Sequence, residues 1–361
     1  MGRGGVGQSG SQKTCLNDGS YILSDKKGIW APLRVKKQGA ILKVYNDRED
    51  FFMRLKNIAY GSFFLFLMLH LYHPASFAAQ SQTIRLTDAA GRTINLARPA
   101  TRIVSLAPSI TEILFALGLN EEIVGVTPFC DYPPEAREKP KVGGFVSPNF
   151  ESLVALRPDL ILGIKDLQGP ELVDELDRLR LPAYFTDPSS VKQILDEIMN
   201  IGKLTGRDAQ ALALVNRMKE RIDKIRRKIN GHHYPKVLYI FWNDPLMTIG
   251  RGSFIAEIID LAGGKNIGPK DRKGYFLFNL EEVLVKNPDV LIFASEMGEN
   301  GVAAEQKRWK QWTHLSAVKN NRLYSIDSNL LHRPGPRIVD ALETLASLLH
   351  PELFKGTGEI E

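Results

Sequence analysis

Apolar and polar positions alternate in blocks that repeat along the chain. The stretch RIVSL beginning at Arg102 reads as a buried strand, and TEILFALG, ending at Gly118, as a helix stopped by a glycine suited to a left-handed cap. KVLYIF from Lys236 and AEIIDLAG, ending at Gly263, repeat that order. A longer match joins residues 144–162, GFVSPNFESLVALRPDLIL, to residues 274–292, GYFLFNLEEVLVKNPDVLI, without a gap. Gly144 meets Gly274, Phe145 meets Tyr275, Asn149 meets Asn279, Glu151 meets Glu281, and Pro158-Asp159 meets Pro288-Asp289. Each copy reads as an aromatic loop, a short helix capped by Asn, a Pro-Asp turn and a buried strand, over 160–163 and 290–293. Because strand and helix alternate in the same order in both halves, the pattern predicts an α/β protein of two Rossmann-like lobes with mostly parallel sheets.

Between the halves the period changes. Helices are predicted over 191–199 and 208–230, and in the second Leu212, Val215, Met218, Ile222, Ile225 and Ile229 fall three or four residues apart, with Lys and Arg on the other face. No glycine or proline interrupts it. At about 1.5 Å per residue such a helix is long enough to run along both lobes, which implies a rigid connector. The turn at Gly231-His-His-Tyr-Pro235 ends it.

A different signal stands upstream. From Met53 the chain reads MRLKNIAYGSFFLFLMLHLYHPASFAAQ: Arg54 and Lys56, an apolar run over 63–71, then small residues. This is the three-part plan of a secretory signal peptide, with Ser76 and Ala78 before a cut near Ala79 or Gln80. The apolar run falls short of the roughly 20 residues a bilayer span needs and contains His70. No cysteine occupies the cleavage region, so the expected product is a soluble periplasmic protein without a lipid anchor. The chain then divides into a mis-assigned or disordered extension (1–52), the signal peptide (53–79), an N-terminal lobe (80–187), connecting helices (188–231) and a C-terminal lobe (232–355).

Composition narrows the function. Of 361 residues 43% are hydrophobic, enough for one large core or two ordinary ones and too many for a disordered chain. Two cysteines, Cys15 and Cys130, cannot build a disulfide framework, a zinc ribbon or an iron–sulfur cluster, and Cys130 is expected as a lone thiol. The net charge of +6 owes much to Lys26, Lys27, Arg34, Lys36 and Lys37; downstream the charges are mixed in sign, which argues against nucleic acid as a partner.

Two open α/β sheets facing one another make a cleft lined by the loops at their strands' carboxyl ends, and such a cleft holds a small molecule. Those loops are expected at 128–132, 143–148, 242–245, 274–278 and 332–337. Phe129, Tyr132, Phe145, Trp242, Tyr275, Phe276 and Phe278 could wall a broad, flat, partly apolar ligand, and Arg333 and Arg337 offer fixed donors. The segments RIVSLAPSITEILFALG, DYPPEA, GGFVSPNFESLVALRPDLIL, AGGKNI and HRPGPRI, in this order, resemble the periplasmic cobalamin-binding proteins. These belong to the wider group of substrate-binding proteins with a helical backbone that serve ABC importers of cobalamin, haem and ferric siderophores. The resemblance covers about residues 83–349.

The resemblance implies a corrin ring held between aromatic residues of the two lobes, at Tyr132, Phe145 and Tyr275; Trp242, Arg333 and Arg337, from the reading of the loops, complete the expected ligand site. The relatives carry tryptophan where this chain has Phe145 and Tyr275, and an aromatic where it has Ile164. It further implies that Glu151 and Glu281 dock on a permease dimer with its ATPase subunits, the binding protein itself being a monomer with no cofactor other than the cobalamin it transports. A repeated glutamate suits a two-fold partner, although a glutamate in the first turn also complements a helix dipole. Haem-binding relatives supply an axial tyrosine from the loop where this chain has Gly144-Phe145. A ferric siderophore remains an alternative cargo. Metal-ion binding is less favoured, since His232, His233, His314, His332 and His350 do not fall in matching loops. No nucleophile elbow, GxGxxG turn or phosphate-binding loop points to an enzyme; Ser105, Ser109 and Thr111 near Glu112 fit the first strand–helix turn.

Overall fold

A computed structural model describes residues 13–15, 21–23, 83–269, 272, 274–295 and 301–354. The signal peptide read over 53–79, and most of the extension read over 1–52, lie outside the described residues. The chain forms two units, Met1–Gln80 and Ser81–Glu361. In the first, β1 (Lys13–Cys15) and β2 (Tyr21–Leu23) pair as an antiparallel hairpin. The second opens with the antiparallel hairpin of β3 (Ile84–Thr87) and β4 (Thr93–Leu96).

The N-terminal lobe continues with β5 (Ile103–Ser105), α1 (Pro108–Ala116), β6 (Ile123–Val126), α2 (Phe150–Leu156), β7 (Leu160–Ile164), α3 (Lys165–Arg178, broken at Gly169) and β8 (Ala183–Thr186). Two helices follow, α4 (Val191–Thr205) and α5 (Asp208–Ile229). The C-terminal lobe runs through β9 (Lys236–Ile240), β10 (Trp242–Asn243), β11 (Leu246–Ile249), α6 (Phe254–Leu261), β12 (Lys265–Asn266) and β13 (Tyr275–Leu277). It ends with α7 (Leu280–Lys286), β14 (Val290–Ala294), α8 (Gly301–Trp309), α9 (Ser316–Lys319), β15 (Leu323–Ile326), α10 (Ser328–Leu331), α11 (Ile338–Leu349) and α12 (Pro351–Phe354).

The predicted duplication is visible in the sheets. Strand order is β6-β5-β7-β8 in one lobe and β12-β9-β14-β15 in the other, and every pair within them is parallel. The central strands β5, β7 and β14 are buried at every position, as strands covered on both faces must be. Local chemistry repeats as well. Asn149 caps α2 by accepting the Ser152 N–H, and Asn279 caps α7 by accepting the Glu281 N–H. Both helices end on a left-handed residue, Arg157 (φ 46°) and Asn287 (φ 47°). After α6 the chain turns at Gly263 (φ +79°), where a Cβ would lie 2.4 Å from His350 Nε2, so glycine is required there twice over.

The connecting helices tie the lobes into one body. α5 buries Ala211, Leu214, Val215, Met218, Ile222, Ile225 and Ile229 against α4 on one side and α6 and α11 on the other. Leu212, expected on that face, is 52% exposed; Ala211 and Leu214 hold the apolar stripe in its place. Arg221 bonds Asp340 and Glu343 of α11, each at 2.6 Å. A single apolar cluster runs from Ile103 through Ile198 and Met218 to Val237 and Leu342, so moving one lobe against the other means breaking close packing. The opposite face of the N-terminal sheet packs its own smaller cluster around Val104, Leu153, Ile161 and Phe185.

Two segments read as loops are strands. Trp242 lies in β10 and residues 275–277 form β13, which pair through β11 in a three-stranded antiparallel ribbon inserted into the C-terminal lobe alone. Strands of two to four residues are too short for alternation to reveal. In β13 Tyr275 and Leu277 face solvent and Phe276 faces inward, while Phe278 beyond it is buried; those last two rings belong to the packing rather than to a ligand wall.

Candidate functional site

The loops that leave β6 and β15 at their carboxyl ends meet between the lobes. From the C-terminal lobe come Arg333 and Arg337, the latter at the start of α11; from the N-terminal lobe come Asp131 and Glu112, the latter in α1. Glu112 is 2% exposed at its side chain and accepts from both arginines: Arg337 Nε at 2.9 Å, Arg337 Nη2 at 2.6 Å and Arg333 Nη1 at 3.0 Å. The Arg333 Nη1 also bonds Asp131 at 2.7 Å, and its Nη2 donates to Asn329. Burial works to lift the Asp131 carboxyl, but the hydrogen bond and charge of Arg333 outweigh it and hold it below its ordinary value. Breaking one partner out of a buried cluster of this kind costs about 3–5 kcal/mol. Gly335 sits between the two arginines, where a Cβ would be 3.2 Å from the Ser109 carbonyl, so the loop approaches α1 at backbone distance. The arginines expected to wait for a ligand are thus already engaged across the lobes.

Aromatic rings of the same loops stand exposed or half-buried, each backed by a second group. Tyr132 is 44% exposed and lies under the Arg337 guanidinium, 3.8 Å from ring centroid to cation. Phe145 stacks on exposed Phe129 at 4.7 Å. Tyr275, 43% exposed, packs on Phe241 at 4.2 Å, and Trp242 is anchored through its indole N–H to the Asp244 carbonyl. Phe145 and Tyr275, matched by the repeat, therefore head two separate ring groups, one per lobe. Ile164 ends β7 in the core.

His332 is held beneath Tyr275. It bonds the hydroxyl of fully buried Tyr239 and meets the rings of Phe241 and Tyr275 at 5.3 and 6.1 Å. Burial pushes its imidazole down to about 4, against the opposing charge of Asp327. Neutral, with one nitrogen on Tyr239, it is a packing and hydrogen-bonding residue. No group of three or more metal-binding side chains occurs among the described residues.

Glu151 and Glu281 occupy the same place in their lobes: the second residue of α2 and of α7, in the first turn after the Asn cap, exposed, with no ion pair among the described residues. Ser105, Ser109 and Thr111 do form the first strand–helix turn, with the Thr111 hydroxyl on Ser105 Oγ at 2.8 Å. Cys130 is a buried free thiol. A cavity of about 560 Å³ lies away from all of these, at the end of α5 between Arg226, Tyr234 and Asp260.

Sequence reading missed Glu112, Asp131 and Phe241 as parts of the site. The one available signal was Glu112 itself, a lone charge within the apolar helix PSITEILFA; a charge so placed requires a buried partner.

The chain is similar in sequence and in fold to several known proteins. The vitamin B12-binding protein of Vibrio cholerae serotype O1 is 30% identical over 243 residues, covering 67% of this chain and 86% of the relative. The crystal structure of the periplasmic vitamin B12 binding protein BtuF of Vibrio cholerae superposes with a TM-score of 0.63 at 29% identity, covering 71% of this chain and 99% of that one. The periplasmic haem-binding protein RhuT of Roseiflexus sp. RS-1, in apo form, also gives 0.63 at 26% identity, covering 70% and 99%. Residues 103–330 match the periplasmic binding protein family over strands and helices of both lobes, and the chain belongs to that family.

Proposed function

We propose that this chain captures cobalamin or a close corrinoid between its lobes and presents it to the permease of an ABC importer. The observation that carries the reading is the set of exposed rings at Tyr132, Trp242 and Tyr275 with the half-buried ring of Phe145, each pinned from behind and mounted on lobes that share one core. Rings already immobilised lose little freedom on meeting a flat ligand. The Vibrio cholerae relatives, vitamin B12-binding by name, support cobalamin as that ligand. Haem, bound by the Roseiflexus protein, fits less well: Phe145 has no ligand atom and His332 is committed to Tyr239. An anionic ferric siderophore finds Arg333 and Arg337 already paired.

In this reading Glu151 and Glu281 meet equivalent sites on a two-fold permease whose ATPase subunits drive import, and the chain works as an exported monomer that carries out no chemistry on its cargo. The test is titration of the mature chain with cyanocobalamin, haemin and a panel of ferric siderophores, followed by intrinsic tryptophan fluorescence. One-to-one binding of cyanocobalamin, unaltered on release, is expected. Binding of haemin or a siderophore without cobalamin would replace the reading.

A further inference from the structure

Glu112 is the least exposed carboxylate of the site and the only one that touches both arginines. Its two oxygens take three N–H bonds from the opposite lobe, and the Arg337 guanidinium they orient lies 3.8 Å from the centre of the Tyr132 ring. With Asp131 on Arg333, two guanidinium cations meet two carboxylates, so the formal charge of the cluster is zero. Around it, Asp327 stands near Arg337 and His332, Arg137 near Asp131, and His332 is neutral at physiological pH.

We propose that Glu112 is a positioning residue of the cleft: it fixes Arg333 and Arg337 across the lobes, holds Arg337 against the Tyr132 ring, and thereby presents the ligand with a charge-balanced slot of set width. Such a slot selects a cargo edged with uncharged hydrogen-bonding groups, amides above all, over one edged with carboxylates. A free arginine pair would do the reverse, because a planar guanidinium binds a carboxylate through two parallel bonds. The inference rests on reading the cleft as the cobalamin site.

Two probes of nearly equal shape separate charge from fit: cyanocobalamin, and the derivative in which one peripheral amide is hydrolysed to a carboxylate. The native chain should bind the carboxylate form more weakly than its parent, and Glu112→Gln, which keeps the side chain's size but releases the arginines, should shift the ratio of the two affinities toward the carboxylate by about tenfold. An unchanged ratio overturns the proposal. Should Glu112→Gln fail to fold, Asp131→Asn, which frees one bond of Arg333, should move the same ratio in the same direction by about threefold. If the native chain binds neither probe, the cargo reading fails and the positioning role is judged without ligand. For that, spin labels at Glu171 and Lys319, exposed on the two lobes, are placed in a chain with Cys130 replaced by serine. Glu112→Gln should broaden their distance distribution, and identical distributions in the two chains would overturn the role.

Discussion

Asp159 and Asp289 perform the same task in the two lobes. Each follows the proline of its Pro-Asp turn, donates its own N–H to the first residue of the neighbouring central strand's approach (Arg102 carbonyl at 2.9 Å, Lys236 carbonyl at 2.8 Å), and accepts that residue's N–H on its carboxylate, at 2.8 Å in both cases. Asp159 also takes the Thr101 N–H and hydroxyl. The pair sets the register of β7 on β5 and of β14 on β9, which explains why Pro-Asp recurs at matched positions. Asp159→Ala should therefore lower the unfolding free energy by about 2 kcal/mol and Asp289→Ala by about 1 kcal/mol, the difference following the number of bonds lost. Urea titration of each variant checks the order; a larger loss at Asp289 would contradict it.

The ring groups give a second expectation. Phe145→Ala and Tyr275→Ala should each weaken cobalamin binding by 1 kcal/mol or more and together by about 2–4 kcal/mol, since truncated aromatic anchors commonly cost that much. Calorimetric titration measures it. An undiminished affinity in the double variant would remove both rings from the site and leave Tyr132 and Trp242 as its walls.

What the sequence made legible was whatever the duplication repeats. The strands expected over 160–163 and 290–293 are Leu160–Ile164 and Val290–Ala294, and Asn149 and Asn279 cap the helices they were expected to cap. A gapless repeat reads each element twice, so chance patterns cancel. The ribbon of β10, β11 and β13 occurs once, its strands are very short, and its register, Met247 opposite Leu277, is set by pairing across a distance that local pattern does not encode. The ion cluster was half legible. Arg333 and Arg337 stood out as donors, but their partner Glu112 lies more than two hundred residues earlier, and only the approach of the two lobes brings them together.

Glu151 and Glu281 should separate binding from delivery. Each sits exposed at a helix start with no ion pair among the described residues, so reversing both to lysine should leave the cobalamin affinity of the isolated chain intact and abolish uptake in cells, with each single reversal weakening it. The helix-dipole role predicts something else: a loss of stability of about 0.3–1 kcal/mol per site and unchanged uptake. Measuring transport and unfolding on the same variants distinguishes the two.

His332 gives the fold a defined pH dependence. Its imidazole titrates near 6.5 in the unfolded chain and is pushed down to about 4 by burial beside Tyr239 and Phe241. The native state therefore refuses a proton that the unfolded state accepts. Its contribution is fully present above about pH 6.5, is lost as pH falls toward 4, and levels off below that; over this window it amounts to as much as about 3 kcal/mol. His332→Gln carries no proton in either state, so the fall in denaturation midpoint between pH 7 and pH 4.5 should be smaller in that variant than in the native chain. Equal falls in the two proteins would mean that other groups, carboxylates above all, account for the acid sensitivity and that His332 is reached by solvent.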